Sequence, residues 1–186
     1  MPSEITLIDT LFREQKELAG FLQGQGQVSF SQNVEAFLSK TLLLSIASYF
    51  ESRITNTITD YAARVSNADE ALTSLVRIKA IERQYFTYFQ WREGNRSVMP
   101  FFAMFGTLLR DSAKLELKEP ELARAVAAFL QLGDIRNLLV HENFASYPLE
   151  MTSDEVYGLY VEALKFVSYI EAKLNPTPVV AALSEA

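Results

Sequence analysis

Leu42-Leu43-Leu44-Ser45-Ile46-Ala47-Ser48-Tyr49-Phe50 is the most apolar run of the chain. It is too short to cross a bilayer, which takes about 20 residues. It also runs straight into Glu51-Ser52-Arg53. A helix built from it is apolar on most sides, so other helices must cover it. The spacing predicts a long helix, capped by Ser31 and continuing to about Val65, at the centre of a bundle.

Outward from that run, apolar residues keep a helical spacing almost throughout. Upstream, a first helix is expected from Glu4 to Leu22, with Ile5, Ile8, Leu11, Phe12, Leu18 and Phe21 as its inner stripe. Gly20, Gly24 and Gly26 mark the loop after it. Downstream, Asn67 or Asp69 caps a third helix reaching about Trp91. Its aromatic block, Gln84-Tyr85-Phe86-Thr87-Tyr88-Phe89-Gln90-Trp91, fits core packing and also fits a platform for stacking bases. Arg92 to Pro100 reads as a polar connection, Phe101 to Leu109 as a short helix, and Arg110 to Glu119 as an irregular link.

Pro120, after Glu119, opens the next helix. Gly133 either sits inside that helix or kinks it. Tyr147-Pro148 is a turn. Thr152-Ser153-Asp154-Glu155 is a cap and first turn for a final helix, Glu155 to Leu174, which Pro176 and Pro178 stop. Strand-like runs are too few for a sheet. The expected fold is all-α: one bundle of about five to six helices over residues 1–174, then a C-terminal tail, 175–186.

Composition narrows the chemistry. The 186 residues contain no cysteine and one histidine, which excludes disulfides and a Cys nucleophile and argues against a protein-only zinc site. The start, Met1-Pro2-Ser3-Glu4, has no basic, apolar leader, so a cytoplasmic protein without a membrane span is expected. A net charge of −6 counts against broad DNA binding but leaves room for a small anionic target in a local cleft. Residues 77–96 stand apart: Arg77, Lys79, Arg83, Arg92 and Arg96 against Glu82 and Glu93, net +3. A solvated helix face is the ordinary reading of such a run.

The single histidine lies in Asp134-Ile135-Arg136-Asn137-Leu138-Leu139-Val140-His141-Glu142-Asn143-Phe144. Arg and His beside three apolar residues need polar partners or a cleft. At about 100° per residue, five steps set His141 about 140° around the helix from Arg136. Asn137 and His141 share a face, so the amide can orient the imidazole. For both ends to meet one ligand, Arg136 must sweep around, the helix must end or distort near His141, or a second subunit must complete the pocket. An imidazole can move protons near neutral pH. A guanidinium stabilises charge on a phosphoryl transition state. One chain holds one histidine, and a two-fold dimer would bring two to one cleft.

Arg136-Asn137, three residues, then His141 resembles the signature of the HEPN superfamily of small helical bundles. The flanks resemble one prokaryotic branch of it: Ser48-Tyr49-Phe50-Glu51, Tyr85 to Trp91, Phe101-Phe102 with Phe105-Gly106, and Phe129-Leu130-Gln131-Leu132-Gly133. Downstream, His141-Glu142-Asn143-Phe144-Ala145 and Thr152-Ser153-Asp154-Glu155-Val156-Tyr157 extend the likeness over most of residues 40–170. The resemblance implies a metal-independent endoribonuclease that leaves 2′,3′-cyclic phosphate ends. It also implies a homodimer, an RNA substrate, and a place in toxin–antitoxin or phage-defence systems with an antitoxin partner. Arg136, Asn137 and His141 would be its catalytic residues, with Glu51 as a further candidate able to pair with Arg136. No cofactor and no metal are implied. Two other readings stay open: a non-catalytic HEPN-like module that binds a nucleotide or a partner, and a purely structural role for Arg136 and His141.

Overall fold

The computed structural model describes residues 5–142 and 144–176. Among these residues there are seven α-helices and no strand, only an isolated bridge between Gln90 and Ser97. The chain is an all-α bundle. None of its described helices is long and apolar enough to cross a membrane.

Helix α1 (Leu7–Gly24) starts at a capping box. Thr6 Oγ1 accepts from Asp9 N at 3.1 Å, and Asp9 Oδ2 accepts from Thr6 N at 2.7 Å. The same end is tied to the last helix: Tyr157 donates its hydroxyl to Asp9 Oδ1 at 2.8 Å. The expected inner stripe is only partly inward. Ile8 is buried, but Ile5, Leu18 and Phe21 are exposed. The helix packs chiefly on α2, so one narrow stripe of it is covered. Gly20 and Gly24 fall inside the helix, and the turn is made by Gly26 at φ +73°.

Helix α2 (Val28–Val65) starts three residues before Ser31. Ser31 does not cap it; its hydroxyl donates back to the Ala19 carbonyl of α1 at 3.0 Å. Leu42, Leu43, Ile46, Phe50, Ile54 and Ile58 are buried along it, so the helix is central as its apolar run requires.

Helix α3 (Glu70–Val76) is capped by Asp69, whose side chain accepts from Leu72 N. It widens into a π-turn over Arg77–Ile81 and stops well short of Trp91. Arg83 follows with φ +62°, then a 3-10 turn at Tyr85–Thr87. The reason is burial. Tyr85, Tyr88, Phe89 and Trp91 all point into the core. A regular helix would turn Trp91 about 120° away from Tyr85.

Helix α4 (Met99–Ala103) is shorter than expected, because Gly106 at φ +94° breaks the path. The expected irregular link is instead helix α5 (Thr107–Glu116). Its apolar stripe is short, Ala113 buried with Leu109 and Leu117 packed against the core, and charge anchors it further: Lys173 donates to Ser112 Oγ at 2.7 Å and to Glu116. Helix α6 (Pro120–His141) runs unbroken through Gly133. Helix α7 (Ser153–Leu174) begins at the Thr152–Glu155 capping box. It packs along both α6 and α2, and Phe129, Phe166 and Phe50 meet between them. Most of the expected tail, residues 177–186, lies outside the described residues.

Candidate functional site

Gly133 fixes what can approach the end of α6. A Cβ there would lie 2.0 and 2.1 Å from two atoms of the Trp91 ring. The missing side chain lets the indole rest against the helix backbone. Trp91 Nε1 donates to the Phe86 carbonyl at 3.0 Å. Arg96 Nε donates to the Trp91 carbonyl at 3.3 Å, and the Arg96 guanidinium pairs with Asp134 of α6. These contacts fasten the 85–97 segment onto the turn of α6 that carries residues 133–136.

The fastening delivers Phe86 to Arg136. The guanidinium carbon lies 4.0 Å from the Phe86 ring centroid. A cation on an aromatic face at this distance is worth about 0.5–2 kcal/mol, more as water is excluded. Burial pulls the Arg136 pKa below its ordinary value, and the negative charge of Glu51 opposes that pull. A guanidinium starts so high that it remains charged at neutral pH. Among the described residues it forms no ion pair closer than 4 Å. Its one polar contact among them is long: Nη1 donates to Asn137 Oδ1 at 3.4 Å. Among these residues the charge is therefore held by packing and not neutralised.

Glu51 comes from the middle of α2 and is half-buried. With Arg136, Tyr85, Phe86 and Trp91 it lines a cavity of about 20 Å³. Burial, and next the charge of Glu51, push the Tyr85 hydroxyl far above its usual range, so it stays a neutral phenol. Ligand pockets usually hold about 300 Å³ or more. No nucleobase enters this cavity, and an anionic ligand must reach Arg136 from its exposed side.

His141 is the last residue of α6 and is exposed. Glu142 then turns the chain into extended backbone, φ −96° and ψ 170°. The helix is regular up to that point. Arg136 and His141 are thus about 7.5 Å apart along the axis and about 140° apart around it. The structure brings Glu51 and Arg136 to one cavity and sets His141 on another side of the helix end. Among the described residues no hydrogen bond joins Asn137 to the imidazole; its amide oxygen accepts from the Arg136 guanidinium at 3.4 Å. Two apolar neighbours of His141, Leu138 and Val140, are 46 % and 49 % exposed.

Phe86, Trp91 and Gly133 are the parts of this arrangement that sequence reasoning does not assign. Phe86 belongs to a block that fits a core or a stacking platform, and it serves a cation of the same chain. The pattern around Gly133 allows a tolerated glycine or a kink; its role is contact with an indole from a distant segment.

The sequence matches the family described as RiboL-PSP-HEPN over residues 9–175. No curated protein and no solved structure matches the chain.

Proposed function

The chain belongs to the RiboL-PSP-HEPN family, and from that premise we propose that it is a metal-independent endoribonuclease whose site is completed by a second copy of itself. The observation that carries the reading is the charged Arg136 guanidinium fixed on Phe86, on the same helix end as the exposed, sole histidine. His141 supplies proton transfer and Arg136 stabilises charge on the phosphoryl oxygens. The 2′-oxygen of a ribose bonds to phosphorus as its proton passes to an imidazole. The bond from phosphorus to the 5′-oxygen breaks, and that oxygen takes a proton from an imidazolium. The products are a 2′,3′-cyclic phosphate and a 5′-hydroxyl.

One imidazole cannot be base and acid in the same step, so two His141 side chains are needed in one cleft. The half-exposed Leu138 and Val140 flanking His141 support a symmetric seam at this helix end. Asn137, in contact with Arg136, positions it within that cleft, and Glu51 holds its charge from behind. In the cell the protein acts as a cytoplasmic toxin or phage-defence effector, restrained by an antitoxin protein.

The test is cleavage of RNA by purified protein in the presence of EDTA. Expected are cyclic-phosphate ends, retained activity in chelator, and loss of at least about 100-fold on His141→Ala, within the usual range for a general acid–base group. Tight RNA or nucleotide binding with no cleavage would replace this reading with that of a non-catalytic regulatory module.

A further inference from the structure

Residues 77–96 carry five cations against two acids, while the rest of the chain carries twelve against twenty-one, so the segment is net +3 and the remainder −9. All five cations are exposed. The same segment carries the aromatic block, whose Phe86 and Trp91 pack against α6 at Arg136 and Gly133. Two of the five have acidic partners: Arg96 with Asp134, and Arg77 with Glu82 at 3.9 Å. Lys79, Arg83 and Arg92 form no ion pair among the described residues.

The backbone of this segment is unusual at the same place. The π-turn over Arg77–Ile81 is followed by Arg83 in the left-handed region, φ +62°. That conformation favours glycine, and a long side chain there carries a conformational cost. Its effect is to hold a guanidinium outward between two turns whose inner residues, Ile81 and Tyr85, are buried. Arg92 is likewise set outward by its neighbour Trp91, which is locked on Gly133. An acidic molecule thus keeps three exposed cations without ion pairs, among the described residues, on the segment whose Phe86 and Trp91 pack against α6 at Arg136 and Gly133.

We infer that Lys79, Arg83 and Arg92 form a phosphate-binding track for single-stranded RNA, leading its backbone to Arg136. The ligand class rests on the nuclease reading. The track itself rests on charge and placement. Nothing in it reads sequence, because the cations meet only backbone phosphates. It holds the nucleotides beside the cut and leaves the chemistry to α6.

The decisive measurement compares K79E/R83E/R92E with the parent in a His141→Ala background, using a labelled single-stranded oligoribonucleotide of about 20 nucleotides and salt from about 50 to 200 mM. Affinity should fall at least tenfold, and the salt slope should flatten by about 2, the share of three phosphate contacts on a single strand. In the otherwise unmutated protein the same triple change should raise KM for that RNA and leave cleavage of a dinucleoside monophosphate, too short to reach the track, unchanged. Lys79→Gln with Arg92→Gln should shift affinity the same way by less, and it serves if the triple variant does not fold. Unchanged affinity and slope in well-folded variants would overturn the track, and is the result expected if these cations serve an acidic protein instead. Track-dependent binding without any cleavage would keep the track and remove the nuclease reading; cleavage indifferent to the triple change would do the reverse.

Discussion

A guanidinium that rests on a ring and, among the described residues, has one long contact to an amide and no ion pair is packed in place and still electrostatically available. Arg136 is in that state because Phe86 reaches it. Removing the ring should free the side chain without removing its charge. Phe86→Leu is expected to lower kcat on RNA several-fold with little change in KM, and to shift the melting temperature by no more than a few degrees. That follows from losing about 0.5–2 kcal/mol of cation–π contact. Phe86→Tyr keeps the face of the ring and should keep the activity. A Leu variant with unaltered kcat would show that the ring only fills space. At this scale the sequence displays Arg136, Asn137 and His141 because they lie within six positions of one another. It does not display Phe86, because a contact across fifty positions leaves no local pattern.

Elements are legible where packing agrees with local preference. The long central helix, the Pro120 start and the Thr152–Glu155 cap all declare themselves. The third helix declares its start at Asp69 but not its end, since four buried rings further on draw the chain out of helical geometry before Trp91. Helix α5 is hidden because its apolar stripe is only Leu109, Ala113 and Leu117, supplemented by the Glu116–Lys173–Ser112 network. Two glycines in helices separate propensity from packing. Gly133→Ala gains about 1 kcal/mol of helix preference but drives a methyl into the Trp91 ring, and overpacking costs about 1–3 kcal/mol. Its melting temperature should fall, and RNA cleavage should fall with it as the 85–97 segment lifts from α6. Gly158 of α7 is exposed, and a methyl added there would meet nothing within 4 Å. Gly158→Ala should therefore raise stability by about 0.5–1 kcal/mol, read as a higher denaturant midpoint. The opposite order of the two variants would contradict the packing described for Trp91.

Across the whole molecule, charge decides how the bundle answers acid. Lys173 foremost, then Ser112, hold the Glu116 carboxyl down at about 2, from an ordinary 4.5. Because its folded value lies below its unfolded one, the carboxylate stabilises the bundle fully above about pH 4.5. That contribution is lost as the pH falls from there toward 2. The Glu116 side chain is 42 % exposed, so solvent screening keeps the gain modest. Glu116→Gln should lower the melting temperature modestly at neutral pH and flatten its decline across this window, the two proteins converging toward pH 2. A decline just as steep in the variant would place the acid sensitivity elsewhere.

The chain has one tryptophan, and it is the side chain wedged against Gly133 and bonded to the Phe86 carbonyl. Its emission should be blue-shifted in the folded protein and should redden when the aromatic segment detaches. The molecule therefore carries a built-in optical gauge one helical turn from Arg136, able to follow in real time, and without any attached dye, whether a bound strand tightens or loosens that seat.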